Sequence, residues 1–207
     1  MFSLQGVKFK DVLDINELQF PANEITCIVG PSGGGKTTLL KLLNNLVSVD
    51  QGQVLYQEQN VEEWDPVELR QKVIMISQQP VTFTDTIAEE LEIGFKMTCS
   101  EVPQKEKLIT MMQQMQLNKD LATPVEVLSG GEKQRLALAR SLVLNPEVLL
   151  LDEPSSALDQ DTEEKVIQQL AHYAHHNDVT LIMVTHSLNI AQEFGDNIVE
   201  IREGKIV

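Results

Sequence analysis

One glycine-rich stretch constrains the fold more than any other part of the chain. Residues 30 to 37 fit the pattern G-x-x-x-x-G-K-[ST], and the stretch reads Gly30, Pro31, Ser32, Gly33, Gly34, Gly35, Lys36 and Thr37. The apolar run Ile25 to Val29 before it is typical of a buried strand, and the residues from Thr38 onward predict a helix. Glycine permits backbone conformations in which successive N–H groups converge on one anion, and a helix N-terminus adds partial positive charge. We therefore predict a loop that binds nucleotide phosphates, with Lys36 on the β- and γ-phosphates, Thr37 on Mg²⁺, and Thr38 beside them.

Apolar runs alternate with helical patterns along most of the chain. The strand patterns include residues 73 to 77, 148 to 151 and 179 to 184, and helical patterns cover residues 132 to 144 and 161 to 176. Such alternation predicts an α/β fold with a mainly parallel sheet flanked by helices, followed by a terminal hairpin that turns at Glu203 and Gly204.

The middle of the chain, from about residue 83 to residue 127, is rich in helical patterns. Helical spacing covers residues 86 to 96 and 105 to 117, and Met111, Met112 and Met115 share one face of the second helix. We expect this face to be core, the alternative being an adaptable groove for a partner helix.

Composition excludes some classes of partner. The chain of 207 residues has 16 basic and 31 acidic residues and a formal net charge of −15, which disfavours contact with a phosphate backbone. We therefore expect no nucleic-acid partner. The two cysteines, Cys27 and Cys99, form no disulfide framework, so a reducing cytoplasm is the expected compartment. The sequence has neither a signal peptide nor an apolar run of membrane-spanning length, so any membrane role is expected to come through a partner.

Two adjacent carboxylates follow a buried strand. The run Val148 to Leu151 delivers Asp152 and Glu153 to the carboxyl end of a strand, where ligands of open α/β sheets bind. Asp152 can hold Mg²⁺ directly or through water, and Glu153 can act on a hydrolytic water. Alone, this pattern is also compatible with a plain strand end. Together with the phosphate loop it predicts a Mg²⁺–nucleotide site.

A second glycine-rich helix start occurs at residues 128 to 135, which read LSGGEKQR. Ser129, Gly130 and Gly131 come directly before the helical pattern and offer a hydroxyl and uncovered backbone N–H groups to an anion. An ordinary capped helix would explain Ser129 but not the two glycines. The stretch therefore predicts a second anion-binding helix end in the same chain.

With these stretches in this order, the sequence resembles the ATP-binding subunits of bacterial ABC transporters over essentially its whole length. LSGGEKQR resembles the family's LSGGQ-type signature, with Glu132 in place of the commonest Gln. The other family motifs fall at residues 30 to 37 (Walker A), Gln78 (Q-loop), residues 149 to 153 (Walker B), residues 155 to 159 (D-loop) and His186 (switch histidine).

This resemblance implies a P-loop NTPase fold with an N-terminal antiparallel β subdomain and an inserted helical subdomain at about residues 79 to 127, all within one domain of residues 1 to 207. It implies ATP and Mg²⁺ as cofactors, with Thr37, Gln78 and Asp152 around the metal. It also implies Glu153 as the general base, His186 near the γ-phosphate, and Gln78 as a link to the helical subdomain.

The same resemblance implies a head-to-tail dimer, a homodimer or a heterodimer with a related ATPase. In it, Ser129 to Gly131 of one subunit close over ATP held by the other. The expected function is ATP hydrolysis that drives a separate membrane-spanning transporter subunit from the inner face of the cell membrane. The alternatives are an ATP-dependent regulator of a membrane complex without transport, and a soluble non-transport ABC ATPase. Because the sequence stops after the terminal hairpin, we expect a small stand-alone subunit, which resembles compact ATPases proposed for metal export.

The N-terminal strand departs from the family at the residue that usually stacks on adenine. Lys10 and Asp11 occupy the region where the family has an aromatic ring, and Phe9 is the nearest ring. We hypothesise that Phe9 stacks on the base. Alternation with Val7 would instead place Phe9 on the core face.

Overall fold

The computed structural model describes residues 1–155 and 157–207. In chain order, the strands are β1 (Phe2–Phe9), β2 (Leu13–Phe20), β3 (Ile25–Val29), β4 (Gln51–Tyr56), β5 (Gln59–Asn60), β6 (Val73–Ile76), β7 (Val148–Asp152), β8 (Thr180–Val184), β9 (Asn197–Arg202) and β10 (Lys205–Ile206). The helices are α1 (Lys36–Leu43), α2 (Pro66–Lys72), α3 (Ile87–Met97), α4 (Lys105–Gln114), α5 (Gly130–Val143), α6 (Gln160–His176) and α7 (Leu188–Phe194).

The strands form two sheets, as the predicted fold class requires. An antiparallel sheet has the order β2-β1-β4-β5, and a larger sheet has the order β10-β9-β3-β8-β7-β6. In the larger sheet every pairing is parallel except that of β10 with β9. Because β3, β8, β7 and β6 are parallel neighbours, their carboxyl ends share one edge. This edge gathers the loops that follow Val29, Val184, Asp152 and Ile76.

The larger sheet separates two hydrophobic cores. On β7, Val148 and Leu150 face the core that contains α1 and the antiparallel sheet, whereas Leu149 and Leu151 face the core that contains α5 and α6. All four side chains are buried. A strand buried on both faces reads as a continuous apolar run, which explains the sequence pattern of residues 148 to 151.

The segment between β6 and α5 contains α3 and α4. Met112 and Met115 are buried in the core, and Met111 packs against the same cluster, so the methionine face is core as predicted. Helix α4 ends at Gln114 rather than at Leu117, because Gln116 adopts a positive φ of 55° that terminates the helix.

The C-terminal hairpin turns at Glu203 and Gly204, as predicted, and both residues have positive φ. The hairpin supports the phosphate loop, since the Gly204 N–H donates to the carbonyl of Gly34 (3.2 Å). Among the described residues, the structure has no helix whose length and apolar content would suffice to span a bilayer.

Candidate active site

The predicted phosphate loop connects β3 to α1, as expected. Two of its glycines are required by close packing: a Cβ on Gly30 would lie 2.1 Å from the Ile201 carbonyl oxygen, and a Cβ on Gly35 would lie 2.6 Å from Leu13 Cδ2. Both glycines also have positive φ, at 139° and 100°. Helix α1 begins at Lys36, two residues earlier than the apolar pattern indicates. The last two residues of the phosphate-loop motif, Lys36 and Thr37, are therefore also the first two residues of the helix.

Lys36 is buried and its ammonium group is directed back over the loop. The side chain is 5% exposed, and Nζ donates to the carbonyl oxygens of Gly30 (2.9 Å) and Pro31 (2.8 Å). A cation thus lies at the centre of the glycine-rich loop, where an anion would meet it.

Thr37 and Asp152 meet at the carboxyl edge of the sheet. The Thr37 hydroxyl donates to Asp152 Oδ1 (3.1 Å), and Asp152 as a whole is only 5% exposed. Burial raises the pKa of Asp152, the Thr37 hydrogen bond partly opposes this, and the nearby Glu153 charge adds to it. A hydroxyl beside a carboxylate is a donor set of hard oxygen atoms, which fits Mg²⁺. Within residues 1–155 and 157–207, His, Cys, Asp and Glu form no cluster of three or more that could hold a metal ion.

Glu153 lies between two of the predicted site residues. Gln78 Nε2 donates to Glu153 Oε2 (2.6 Å), and His186 Nε2 lies 2.7 Å from Oε1. The three residues follow β6, β7 and β8, so the adjacent carboxyl ends of these strands bring them together. The structure thus brings Gln78, Glu153 and His186 together at one edge of the sheet.

Lys36, Thr37, Gln78, Glu153 and His186 line one cavity of about 370 Å³. Its lining residues are Val12, Ser32, Gly33, Gly34, Gly35, Lys36, Thr37, Thr38, Gln78, Glu153 and His186.

On the side of the N-terminal sheet this cavity is bordered by Val12 and not by Phe9. The Phe9 ring packs partly buried against the core of the antiparallel sheet, with the Lys10 ammonium 5.1 Å from its centroid. This position agrees with the core alternative given for Phe9. It does not favour the stacking hypothesis, because strand alternation fixes the side of β1 from which the ring projects.

The second glycine-rich helix start is a complete capping box. Glu132 N–H donates to Ser129 Oγ (3.3 Å), and Ser129 N–H donates to Glu132 Oε2 (2.9 Å). The backbone hydrogen bond from Ser129 and an ion pair with Lys119 (2.9 Å) lower the pKa of Glu132 to about 2. The glutamate that departs from the commonest family residue thus keeps the helix start intact. Ser129 and Gly130 are exposed at this helix end, and neither lines the cavity beside Lys36.

The predicted D-loop follows β7. Asp159 caps α6 by accepting from the Thr162 N–H (3.0 Å), whereas Ser156 lies outside the described residues.

Sequence reasoning missed two buried polar residues, of which Gln134 contacts this site. Gln134 Nε2 donates to the Glu153 carbonyl (3.2 Å), and Glu90, which is fully buried, pairs with Arg140 on α5. Both partners are distant in sequence, and the only local signal is a polar side chain on an otherwise apolar helix face.

Comparison with protein families gives one match that covers most of the chain. A family model described as ABC transporter matches residues 13–156. The methionine import ATP-binding protein MetN of Bartonella henselae is 34% identical over 203 residues, covering 94% of this chain and 58% of MetN. The tungstate uptake system ATP-binding protein TupC of Peptoclostridium acidaminophilum is 30% identical and is covered to 89% of its length. The chain thus spans little more than half of MetN but nearly all of TupC.

Solved structures of ABC proteins are also similar to this chain. The dimeric ATP-binding cassette MJ0796 in a post-hydrolysis state bound to ADP and Pi superposes with a TM-score of 0.87 at 28% identity, covering 100% of this chain and 96% of that one. A bacterial Atm1-family ABC exporter with ATP bound gives a TM-score of 0.88 at 28% identity, with 38% of that chain covered.

Proposed function

The chain belongs to the ABC transporter family, and we propose that it is an ATP hydrolase that works as a dimer and drives conformational change in a separate membrane-spanning subunit. The observation that carries the proposal is the position of Glu153. Its carboxylate lies between Gln78 and His186 in the same cavity as Lys36 and Thr37. The cavity thus combines an acid–base group with a phosphate loop, and its Thr37 is hydrogen-bonded to Asp152, which supplies a second metal-ligating oxygen. These are the parts that hydrolysis of a nucleoside triphosphate needs.

We assign the binding roles as follows. The amides of Gly33 to Lys36 and the Lys36 ammonium would hold the β- and γ-phosphates. Thr37 and Asp152 would hold Mg²⁺, with Gln78 close to it. The ion would neutralise the negative charge that develops on the transferred phosphoryl group.

Glu153 would act as the general base. A water placed beside its carboxylate would attack the γ-phosphorus, its proton would pass to Glu153, and ADP would leave with the electron pair of the broken P–O bond. Gln78 and His186 hold the two carboxylate oxygens, so they fix the direction from which the proton is accepted. His186 would also contact the γ-phosphate.

The helix end at Ser129 to Gly131 supports the dimer. It offers a capped helix N-terminus and an uncovered Gly130 outside the cavity of its own chain. In a head-to-tail dimer this end of one subunit would close over ATP bound by the other, which gives each ATP contacts from both chains. Either a second copy or a related ATPase fits this arrangement.

An exposed apolar groove supports the membrane partner. The groove, of about 300 Å³, lies between β6 and α3, and its rim exposes 59% of Val81, 63% of Phe83 and 79% of Met97. Exposed apolar patches of this kind mark interaction sites. Because the rim follows Gln78 closely along the chain, a short helix of the membrane partner in this groove would be coupled to the candidate active site. We propose that the protein works at the inner face of the cell membrane. The resemblance to ATPases proposed for metal export stays a prediction.

Hydrolysis by the isolated chain tests the ATPase proposal. We expect the rate per subunit to rise with protein concentration, because the active form is a dimer, and Lys36→Ala to lose hydrolysis. A rate per subunit that is independent of concentration would contradict the dimeric mechanism.

Co-purification tests the membrane partner. The protein expressed in its own cells should carry an integral membrane protein through purification in mild detergent, and Phe83→Ser should lose it. Leu46→Ser, which changes an exposed apolar side chain (50% exposed) that is not in the groove, is the matched control. Recovery of only soluble proteins would contradict the proposal.

A further inference from the structure

Gln134 is a buried polar side chain on α5 that, within the part of the chain that the structure describes, hydrogen-bonds to the backbone of the segment after β7. It is fully buried. Its Nε2 donates to the carbonyl of Glu153 (3.2 Å), and its Oε1 accepts from the N–H of Ala157 (3.2 Å). Both polar ends of one amide are therefore used, one on Glu153 itself and the other on Ala157.

The backbone of Glu153 needs such support. Its φ is +50°, a left-handed conformation that is uncommon for a residue other than glycine and is found where the surroundings impose it. The Glu153 N–H donates to the Val184 carbonyl (3.2 Å), so β8 holds one side of the residue and Gln134 holds the other. This conformation directs the carboxylate toward Gln78 and His186.

Helix α5 connects Gln134 to the second glycine-rich helix end. Gln134 follows Ser129 by five residues, which corresponds to about 7.5 Å along an α-helix. The helix is continuous from Gly130 to Val143, and its start is fixed by the capping box. A shift of the helix end at Ser129 is therefore transmitted to Gln134.

We propose that Gln134 is a positioning residue that fixes the backbone of Glu153, so that the orientation of the Glu153 carboxylate depends on the position of α5. The proposal rests on the proposed function, since it requires Glu153 to be the base and the Ser129 end to meet the nucleotide of a second subunit. When α5 of one subunit docks on that nucleotide, Gln134 sets the base in its own subunit. The two ATP sites of the dimer are thereby coupled.

Two substitutions separate positioning from a purely structural role. Gln134→Met keeps the length of the side chain and removes both hydrogen bonds. Gln134→Glu keeps the acceptor for the Ala157 N–H, and its carboxyl group donates to the Glu153 carbonyl only when it is protonated. Burial raises the pKa of a carboxyl group at such a position, so this variant is switched by mild acid.

For Gln134→Met we expect kcat to fall about 10- to 100-fold, the loss that misplacement of a catalytic group by about 1 Å produces, with the Kd for ATP within about twofold. The matched control is Tyr173→Phe, which removes a hydrogen bond from the Tyr173 hydroxyl to the Leu142 carbonyl (3.0 Å) at the other end of α5. This control should keep kcat. An unchanged kcat in Gln134→Met, or an equal loss in Tyr173→Phe, would overturn the proposal.

For Gln134→Glu we compare its kcat with the wild-type kcat at the same pH. We expect this ratio to increase as the pH is lowered from about 8 to about 6. The neighbouring charged groups Glu153, His186, Arg135 and Asp159 are present in both proteins, so the ratio removes the part of the pH dependence that the two proteins share. A ratio that does not change with pH would overturn the proposal, and this measurement decides the matter even if Gln134→Met does not fold.

Glu153→Gln distinguishes a failure of the proposed function from a failure of the positioning role alone. If it retains hydrolysis, the proposed function fails and the positioning role fails with it; if it is inactive while the Gln134 variants are fully active, only the positioning role fails.

Discussion

At the residue scale, Asp152 carries a charge that the fold disfavours. Because burial raises its pKa in the folded protein above the unfolded value, the ionised carboxylate destabilises the protein as pH rises through that folded pKa. Below the unfolded pKa, Asp152 is protonated in both states and this cost is absent. The site thus contains a carboxylate whose ionisation destabilises the folded protein, at the place where a bound cation would offset that cost.

We therefore expect Asp152→Asn to raise the melting temperature of the nucleotide-free protein at neutral pH while abolishing Mg²⁺-dependent hydrolysis. Asparagine keeps an oxygen that can accept from Thr37, so the existing hydrogen bond is preserved. Melting curves at several pH values supply the internal control, since the difference from wild type should narrow on acidification. A variant that is less stable than wild type at neutral pH would contradict this explanation.

Phe9 and Val12 offer a second comparison of single residues. Because Phe9 is partly buried against the core, Phe9→Ala should lower the free energy of unfolding by about 2 kcal/mol and leave the affinity for ATP within about twofold.

Val12 lines the cavity and is 36% exposed, so Val12→Ala should weaken ATP binding by about threefold and change stability little. Thermal melting and nucleotide titration on both variants decide between the two residues. If Phe9→Ala instead weakens ATP binding about fivefold at unchanged stability, the stacking hypothesis is correct.

At the scale of elements, α3 and α5 both begin with a capping box, but only the start of α5 is proposed to contact nucleotide. Thr86 and Glu89 form a capping box on α3, and Ser129 and Glu132 form one on α5. Thr86→Ala and Ser129→Ala should each cost about 1 kcal/mol of folding stability.

The two variants should differ in their response to ATP. Ser129→Ala should reduce ATP-dependent dimerisation and hydrolysis, because the Ser129 end is proposed to contact nucleotide across the dimer, whereas Thr86→Ala should retain both. Sedimentation with and without ATP measures the difference. Equal loss of dimerisation in both variants would mean that the α5 cap acts only on stability.

The sequence predicted those elements whose signals are local. The run Val148 to Leu151 indicates a buried strand whatever surrounds it, and residues 30 to 37 match a phosphate-loop pattern that is complete within eight residues. The start of α1 was placed too late because Lys36 and Thr37 are polar residues in a helical turn, which apolar periodicity does not register.

The buried polar contacts were not predictable in this way. Gln134 reaches a backbone group 19 residues away, and Arg140 pairs with Glu90 across 50 residues. Glu90 also accepts from the N–H groups of Phe83 and Thr84. Only the packing of α5 against α3 and against the segment after β7 brings these groups together, so a pattern along one segment carries no information about them.

At the scale of the whole molecule, the surface charge makes one prediction about partners. With a net charge of −15, we expect no salt-dependent binding of duplex DNA at micromolar concentration and no stimulation of hydrolysis by DNA or RNA. Fluorescence anisotropy with a labelled duplex at low and moderate salt measures this. Binding that weakens steeply with salt would show a basic surface that the net charge conceals.

The central proposal is that one chain contributes two separate halves of the nucleotide site to two different ATP molecules. Its most direct measurement is light scattering on Glu153→Gln with and without saturating ATP and Mg²⁺. Since this variant keeps the phosphate loop and the Ser129 end but lacks the base, it should bind ATP without turning it over and accumulate as a dimer of twice the mass of the single chain. Adding Lys36→Ala should return it to the monomer. A Glu153→Gln protein that binds ATP and stays monomeric at saturation would contradict the account.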